Sequence, residues 1–222
     1  MKLYWLGIIG MAAAVLGCLG DILLLYVPDG NYEKQDYLFF QQIPQWRLTA
    51  GHFLGVLFIP LELVGFWQVY KAIEKTGKRY TVPLVLATVY VMIMGVVYHG
   101  IVGSMGTFVH LAASDLVNPA VAESTMNTLK LYFEPFGFLL LILFVFISSM
   151  LSYLIWFKNE QTLYPKWMAF FNPVFTYLLI VILYLILPKN IGSALMVMGF
   201  NLSIFVLLAA STWHFKYRPI LY

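Results

Sequence analysis

Asp21, His52, Glu62 and His99 stand inside long apolar stretches of this chain. At the centre of a bilayer a charge costs from ~3 to over ~10 kcal/mol, so such residues default to a functional reading with a partner to be named. A carboxyl and an imidazole within reach of each other can pair, move a proton or orient a polar ligand. With further ligands they can hold a metal.

Two candidate sites follow from type and spacing. The first is a ligand pocket lined by Asp21, Arg47, His52, Tyr98 and His99, in which Arg47 or a histidine offsets Asp21. The second is a proton or cation site at Glu62, two residues after Pro60, with Asn172 and Asn201 as its partners. Pro60 removes one backbone bond and frees the carbonyl of Val56, which opens room for water or a polar group. No metal site is favoured; one would draw on His52, His99 and His110. Each feature also has a plain structural reading. Asp21 can anchor one hydrogen bond, each histidine can make a single one, and Glu62 can be a neutral acid between helices. Glu134 reads as a helix N-terminal charge, and His110 as a loop residue.

The elements that position these groups are membrane spans. Of 222 residues, 62% are hydrophobic, 18% aromatic and only 10% charged. Soluble domains carry about 25% charged residues, so this composition points to an integral membrane protein. Crossing the hydrocarbon core takes about 20 apolar residues. Six stretches qualify: residues 3–27, 48–70, 81–104, 135–157, 167–187 and 192–213. The expected fold is all-α, a polytopic six-helix bundle in a single domain. Pro28-Asp29-Gly30-Asn31 closes the first span, and Asn118-Pro119 closes any helical extension of the third. The start imitates a signal peptide, with Lys2, an apolar run and the box Val15-Leu16-Gly17-Cys18. The run continues through Ile22-Leu23-Leu24-Leu25, so we read an uncleaved first span.

Lys2, Lys71, Lys75, Lys78, Arg79, Lys158, Lys166, Lys216 and Arg218 fall on one side of this layout; Lys34, Arg47, Lys130 and Lys189 fall on the other. The asymmetry places both termini in the cytoplasm. At 1.5 Å per residue, Asp21 lies roughly 9 Å below the outer end of its span, and His52 and His99 roughly 7 Å below theirs. One layer thus holds all three. Asp21 shares a stripe with Gly7, Gly10, Ala14 and Gly17; His99 shares one with Gly95, Gly103 and Gly106; His52 edges the stripe of Gly51, Gly55 and Gly65. Small residues mark helix–helix interfaces in membranes, which turns these groups into the bundle.

Much chemistry is excluded. There is no G-x-S-x-G, no H-E-x-x-H and no P-loop; Gly100 to Gly106 reads GIVGSMG and lacks the lysine. The single cysteine, Cys18, excludes an intrachain disulfide. Nucleic-acid binding is not expected, because the short basic loop fits topology alone. No cofactor is indicated.

The motifs Gly20-Asp21-Ile22-Leu23-Leu24-Leu25, R-L-x-x-G-H from Arg47 to His52, I-P-L-x-L-x-G-F-W from Ile59 to Trp67 and Tyr98-His99-Gly100 together resemble a group of uncharacterised bacterial multi-span membrane proteins of unknown function. The resemblance covers mainly the first three spans. It implies a bacterial inner-membrane protein among membrane lipids and brings no activity with it. The leading expectation is binding or translocation of a small amphipathic or lipid-like molecule. One alternative is a metal-assisted lipid hydrolase drawing on these histidines, Asp21 and Ser104 or Ser114. The other is a structural or interaction subunit.

Overall fold

The computed structural model describes residues 3–28, 37–114 and 117–217, and every regular element among them is helical. Lys2, Asp29, Gly30, Asn31, Lys34 and Arg218, used above for topology and turns, lie outside the described residues. The helices are α1 (Leu3–Leu25), α2 (Gln45–Phe58), α3 (Glu62–Ile73), α4 (Lys78–Ala112), α5 (Pro119–Phe157), α6 (Pro173–Ile186), α7 (Lys189–Val197) and α8 (Gly199–Tyr217). Four helical stretches are long and apolar enough to cross a membrane: α1, α2 with α3, α4, and α5. The pair α7–α8 passes the same test together, and α6 is a shorter apolar helix.

Prolines and asparagines set the breaks. At Pro60 the backbone tightens into a 3-10 turn, Ile59–Leu61, that joins α2 to α3, as expected where a proline cannot donate its backbone bond. Asn118 opens α5 rather than closing α4: its side chain accepts from Ala120 N at 2.9 Å, and Pro119 takes the first helical turn. This is the ordinary preference of asparagine for the N-cap and of proline for N1. α4 runs on to Ala112, so His110 sits on a helix, and Glu134 and Pro135 lie within α5 instead of at its start. At 39 residues α5 is roughly 58 Å long, well beyond a hydrocarbon core of about 30 Å.

The last two stretches differ most from expectation. Residues 167–187 do not form one helix. A 3-10 segment, Lys166–Phe171, leads to Asn172, which caps the 14-residue α6 by accepting from Phe175 N at 3.1 Å. The stretch 192–213 is bent by 71° between α7 and α8, and its helix begins earlier, at Lys189.

α1 is the axis of the bundle and packs against α2, α3 and α8. At the crossing of α1 and α3, a Cβ on Gly10 would run into the backbone of Gly65, so only glycine allows that approach. Polar bonds then fix which ends lie together. At one end Gln68 donates to the Leu3 carbonyl (3.0 Å), Leu163 N to the Ala72 carbonyl (2.7 Å) and His214 Nε2 to the Leu163 carbonyl (2.9 Å). At the other, Arg47 donates to the carbonyls of Ile22 (2.7 Å) and Tyr26 (2.8 Å) at the C-terminal end of α1, where Ile22 also accepts from Tyr26 N (3.1 Å), and His110 Nε2 donates to the Ile43 carbonyl (2.7 Å).

Candidate functional site

Asp21 is 7% exposed on the α1 face that meets α4 and α8. His99 Nε2 lies 3.1 Å from Asp21 Oδ1, and Asn201 Nδ2 donates to Asp21 Oδ2 at 2.7 Å. Each carboxylate oxygen therefore has its own donor, which is how a buried acid is held without exposing charge to hydrocarbon. The His99 ring is seated on Gly55, where any Cβ would fall inside it. Its Nδ1 is buried and makes no hydrogen bond among the described residues, so Nε2 is the ring nitrogen that meets Asp21.

Glu62 is the first residue of α3, immediately beyond the Pro60 turn, and is 0% exposed. Neither of its carboxyl oxygens makes a hydrogen bond among the described residues. It opens onto the same cavity as Asp21, His99, Tyr98 and Asn201, a space of about 240 Å³. The opposite wall is aromatic: Tyr177 of α6 stacks on Phe200 of α8 with ring centres 4.9 Å apart, and Phe144 of α5 meets Phe200 edge-on at 5.0 Å. Both irregular stretches border this space, Ile59 from the Pro60 turn and Met196 and Val197 from the α7–α8 bend.

The sequence-derived candidates divide accordingly. Asp21, His99 and Tyr98 are together on one cavity, with Tyr98 also stacked on Phe133 at 4.8 Å. His52 and Arg47 are not on it. His52 Nδ1 is 3.3 Å from the His99 carbonyl, and the side chain faces a separate groove with Thr49, Ser104 and Thr107. Arg47 serves the end of α1. Asn201 and Glu62 share the cavity, but Asn201 spends its amide on Asp21 and not on Glu62. Asn172 is elsewhere, bonded to Ser152 Oγ (2.8 Å) and the Ala169 carbonyl (2.9 Å) besides capping α6. Among the described residues no three His, Cys, Asp or Glu side chains are placed to share a metal ion. His52, His99 and His110 each serve a different partner, and Ser104 and Ser114 bond carbonyls of their own turns.

A second polar cluster, unsuspected from sequence, sits at the other end. Tyr164 Oη is 2.7 Å from Ser211 Oγ, and Ser211 donates to Gln68 Oε1 at 2.9 Å. Ser211 has one hydrogen and spends it on Gln68, so Tyr164 is the donor to Ser211. Burial pushes the Tyr164 hydroxyl above the ordinary tyrosine range, and the Ser211 bond pulls weakly the other way. Three polar residues spread over two helices and a loop carry no local spacing signal, which is why they escape a reading by motif.

The model of a family of unknown function (DUF6796) matches residues 1–218, and the chain belongs to that family. No curated protein and no solved structure matches it.

Proposed function

We propose that this chain, a member of that family of unknown function, is a binding or transport-type membrane protein whose cavity beside Asp21 and Glu62 takes a small amphipathic molecule. One observation carries the reading: side chains of α1, α3, α4, α5, α6, α7 and α8 all open onto this space, mostly apolar, with a few converging polar groups. Ligand sites have that make-up. Within a bilayer, irregular backbone is tolerated where it lines such a cavity, and the Pro60 turn and the α7–α8 bend both do so. At about 240 Å³ the space is below the ~300–1,000 Å³ typical of drug-sized ligands, so the molecule is small.

The same reading has six crossings in a bacterial inner membrane. Lys166–Phe171 completes the fifth with α6, and α7 with α8 forms a bent sixth. Both termini are cytoplasmic, on the side where the sequence concentrates lysine and arginine. Among the described residues no side-chain grouping favours the metal-assisted hydrolase. A purely structural role suits Asp21, whose bonds are complete, but leaves Glu62 without a purpose.

Native mass spectrometry of the full chain extracted in mild detergent tests the reading. The expected result is a retained small molecule in the native chain, absent from Gly137→Leu. Gly137 lines the cavity, and an added Cβ there meets only Tyr98, at 4.0 Å, so the longer side chain fills the space rather than breaking the helix packing. The same retained mass on both proteins, or none on either, would overturn it.

A further inference from the structure

Resting on the cavity reading above, we infer that the molecule carries one ammonium-type cation and that Glu62 is its counter-ion. Glu62 is fully buried, and neither of its oxygens is hydrogen-bonded among the described residues. Either protonation state leaves it wanting: a carboxylate has two bare oxygens, and a carboxylic acid has an O–H with nothing to receive it. A buried polar group of this kind costs roughly 1–3 kcal/mol unless something on the cavity side satisfies it. Asp21 has less need of such a partner, because each of its two oxygens already has one, His99 or Asn201.

The charge of the missing partner follows from the walls. Among the described residues the lining contains two carboxyls and no lysine or arginine. A neutral head would give Glu62 at most an uncharged hydrogen bond, and an anionic head would add negative charge beside a described lining that already holds two carboxyls. An ammonium gives it a charge-assisted hydrogen bond, and the Phe144, Tyr177 and Phe200 rings accept both a hydrocarbon body and the cation's field. An inorganic cation fits less well. Hard cations gather six or more oxygens, whereas only Glu62 offers uncommitted carboxylate oxygens here, among apolar neighbours.

The test is equilibrium binding of radiolabelled hexylammonium and, separately, of radiolabelled hexan-1-ol to the full chain in lipid nanodiscs at neutral pH, with sodium and the unlabelled forms of both probes as competitors. The native chain is expected to bind hexylammonium saturably and to prefer it to hexanol by about tenfold or more, the worth of a hydrogen bond to a charged group. Glu62→Gln is expected to lose that preference and Gly137→Leu to bind neither probe. Equal affinity for hexanol and hexylammonium in the native chain would overturn the ammonium assignment while leaving the cavity reading intact. Displacement by sodium but not by hexanol would overturn it in favour of an inorganic cation. Saturable binding of neither probe would overturn the cavity reading itself. The native comparison needs no variant, so it decides the matter even if Glu62→Gln fails to fold.

Discussion

His99 Nε2 lies 3.1 Å from Asp21 Oδ1, joining the fourth helix to the first inside the bundle. Asn201, 180 positions along the chain from Asp21, supplies the other oxygen's donor. Deleting one member leaves the others buried and unsatisfied, which costs more than one bond's net worth. Asp21→Asn and His99→Gln should each destabilise the protein by about 1–3 kcal/mol. The double variant should be less unstable than the sum, with a coupling of at least ~0.5 kcal/mol. Reversible unfolding in detergent measures all four corners of the cycle, and strict additivity would mean that the two side chains do not interact.

Gly55 and Gly137 offer a paired test of the same geometry. An alanine methyl at Gly55 would fall inside the His99 ring, whereas at Gly137 it meets one atom at 4.0 Å. Gly55→Ala should therefore cost about 1–3 kcal/mol through overpacking. Gly137→Ala should be neutral or slightly stabilising, since alanine is the better helix former. Melting temperatures of the two variants measured side by side check the contrast.

Pro60 trades stability for position. A proline inside a helix costs up to ~3 kcal/mol relative to alanine, and here it creates the turn that delivers Glu62 to the cavity. Pro60→Ala should raise the melting temperature while weakening hexylammonium binding. A variant that is more stable and binds as well as the native chain would show that the turn does not serve the site.

The cluster at the opposite end predicts a pH effect. Tyr164 is held above its ordinary value of 10.0 in the folded state. Below about pH 10 both folded and unfolded chains keep this proton, and the residue adds no pH dependence. Above it the unfolded chain releases the proton first, so folding stability falls as pH rises. The alkaline loss should be smaller in Tyr164→Phe than in the native chain. Near neutral pH the same variant should cost only about 0.5–1.5 kcal/mol, one hydrogen bond, because Ser211 keeps its bond to Gln68. Unfolding measured across pH 8 to 11 checks both statements.

Topology can be read by cysteine labelling, since Cys18 is the sole cysteine and is buried. In a Cys18→Ala background, a cysteine replacing the exposed Lys75 should be shielded from an impermeant reagent in intact cells, and one replacing the exposed Glu123 should react. Equal labelling of the two from outside would contradict an odd number of crossings between them.

The first four long apolar helical stretches were legible because hydrophobic length and small-residue stripes are local signals, and they carried Asp21 and His99 to the same interface. The Pro60 break was legible for the same reason. What sequence could not show is where long-range partners meet. Asn201 lay at a depth compatible with Glu62, yet it faces α1 at Gly17, where a Cβ would meet its amide, and so it reaches Asp21. The 71° bend at Met198 has no proline to announce it. Beside it Tyr177 stacks over Phe200, and a Cβ on Gly199 would meet the Tyr177 ring. Asn172 looked like a buried partner and proved to be a helix cap, a role that its neighbour Pro173 already hinted at.

Electron cryo-microscopy of the full chain in nanodiscs with hexylammonium would show whether the amine sits at Glu62. Density for the bound amine is expected against the Glu62 carboxylate, with Asp21 still bridged to His99 and Asn201. A map in which Glu62 bonds to a protein side chain, with the surrounding space closed by repacked helices, would contradict it.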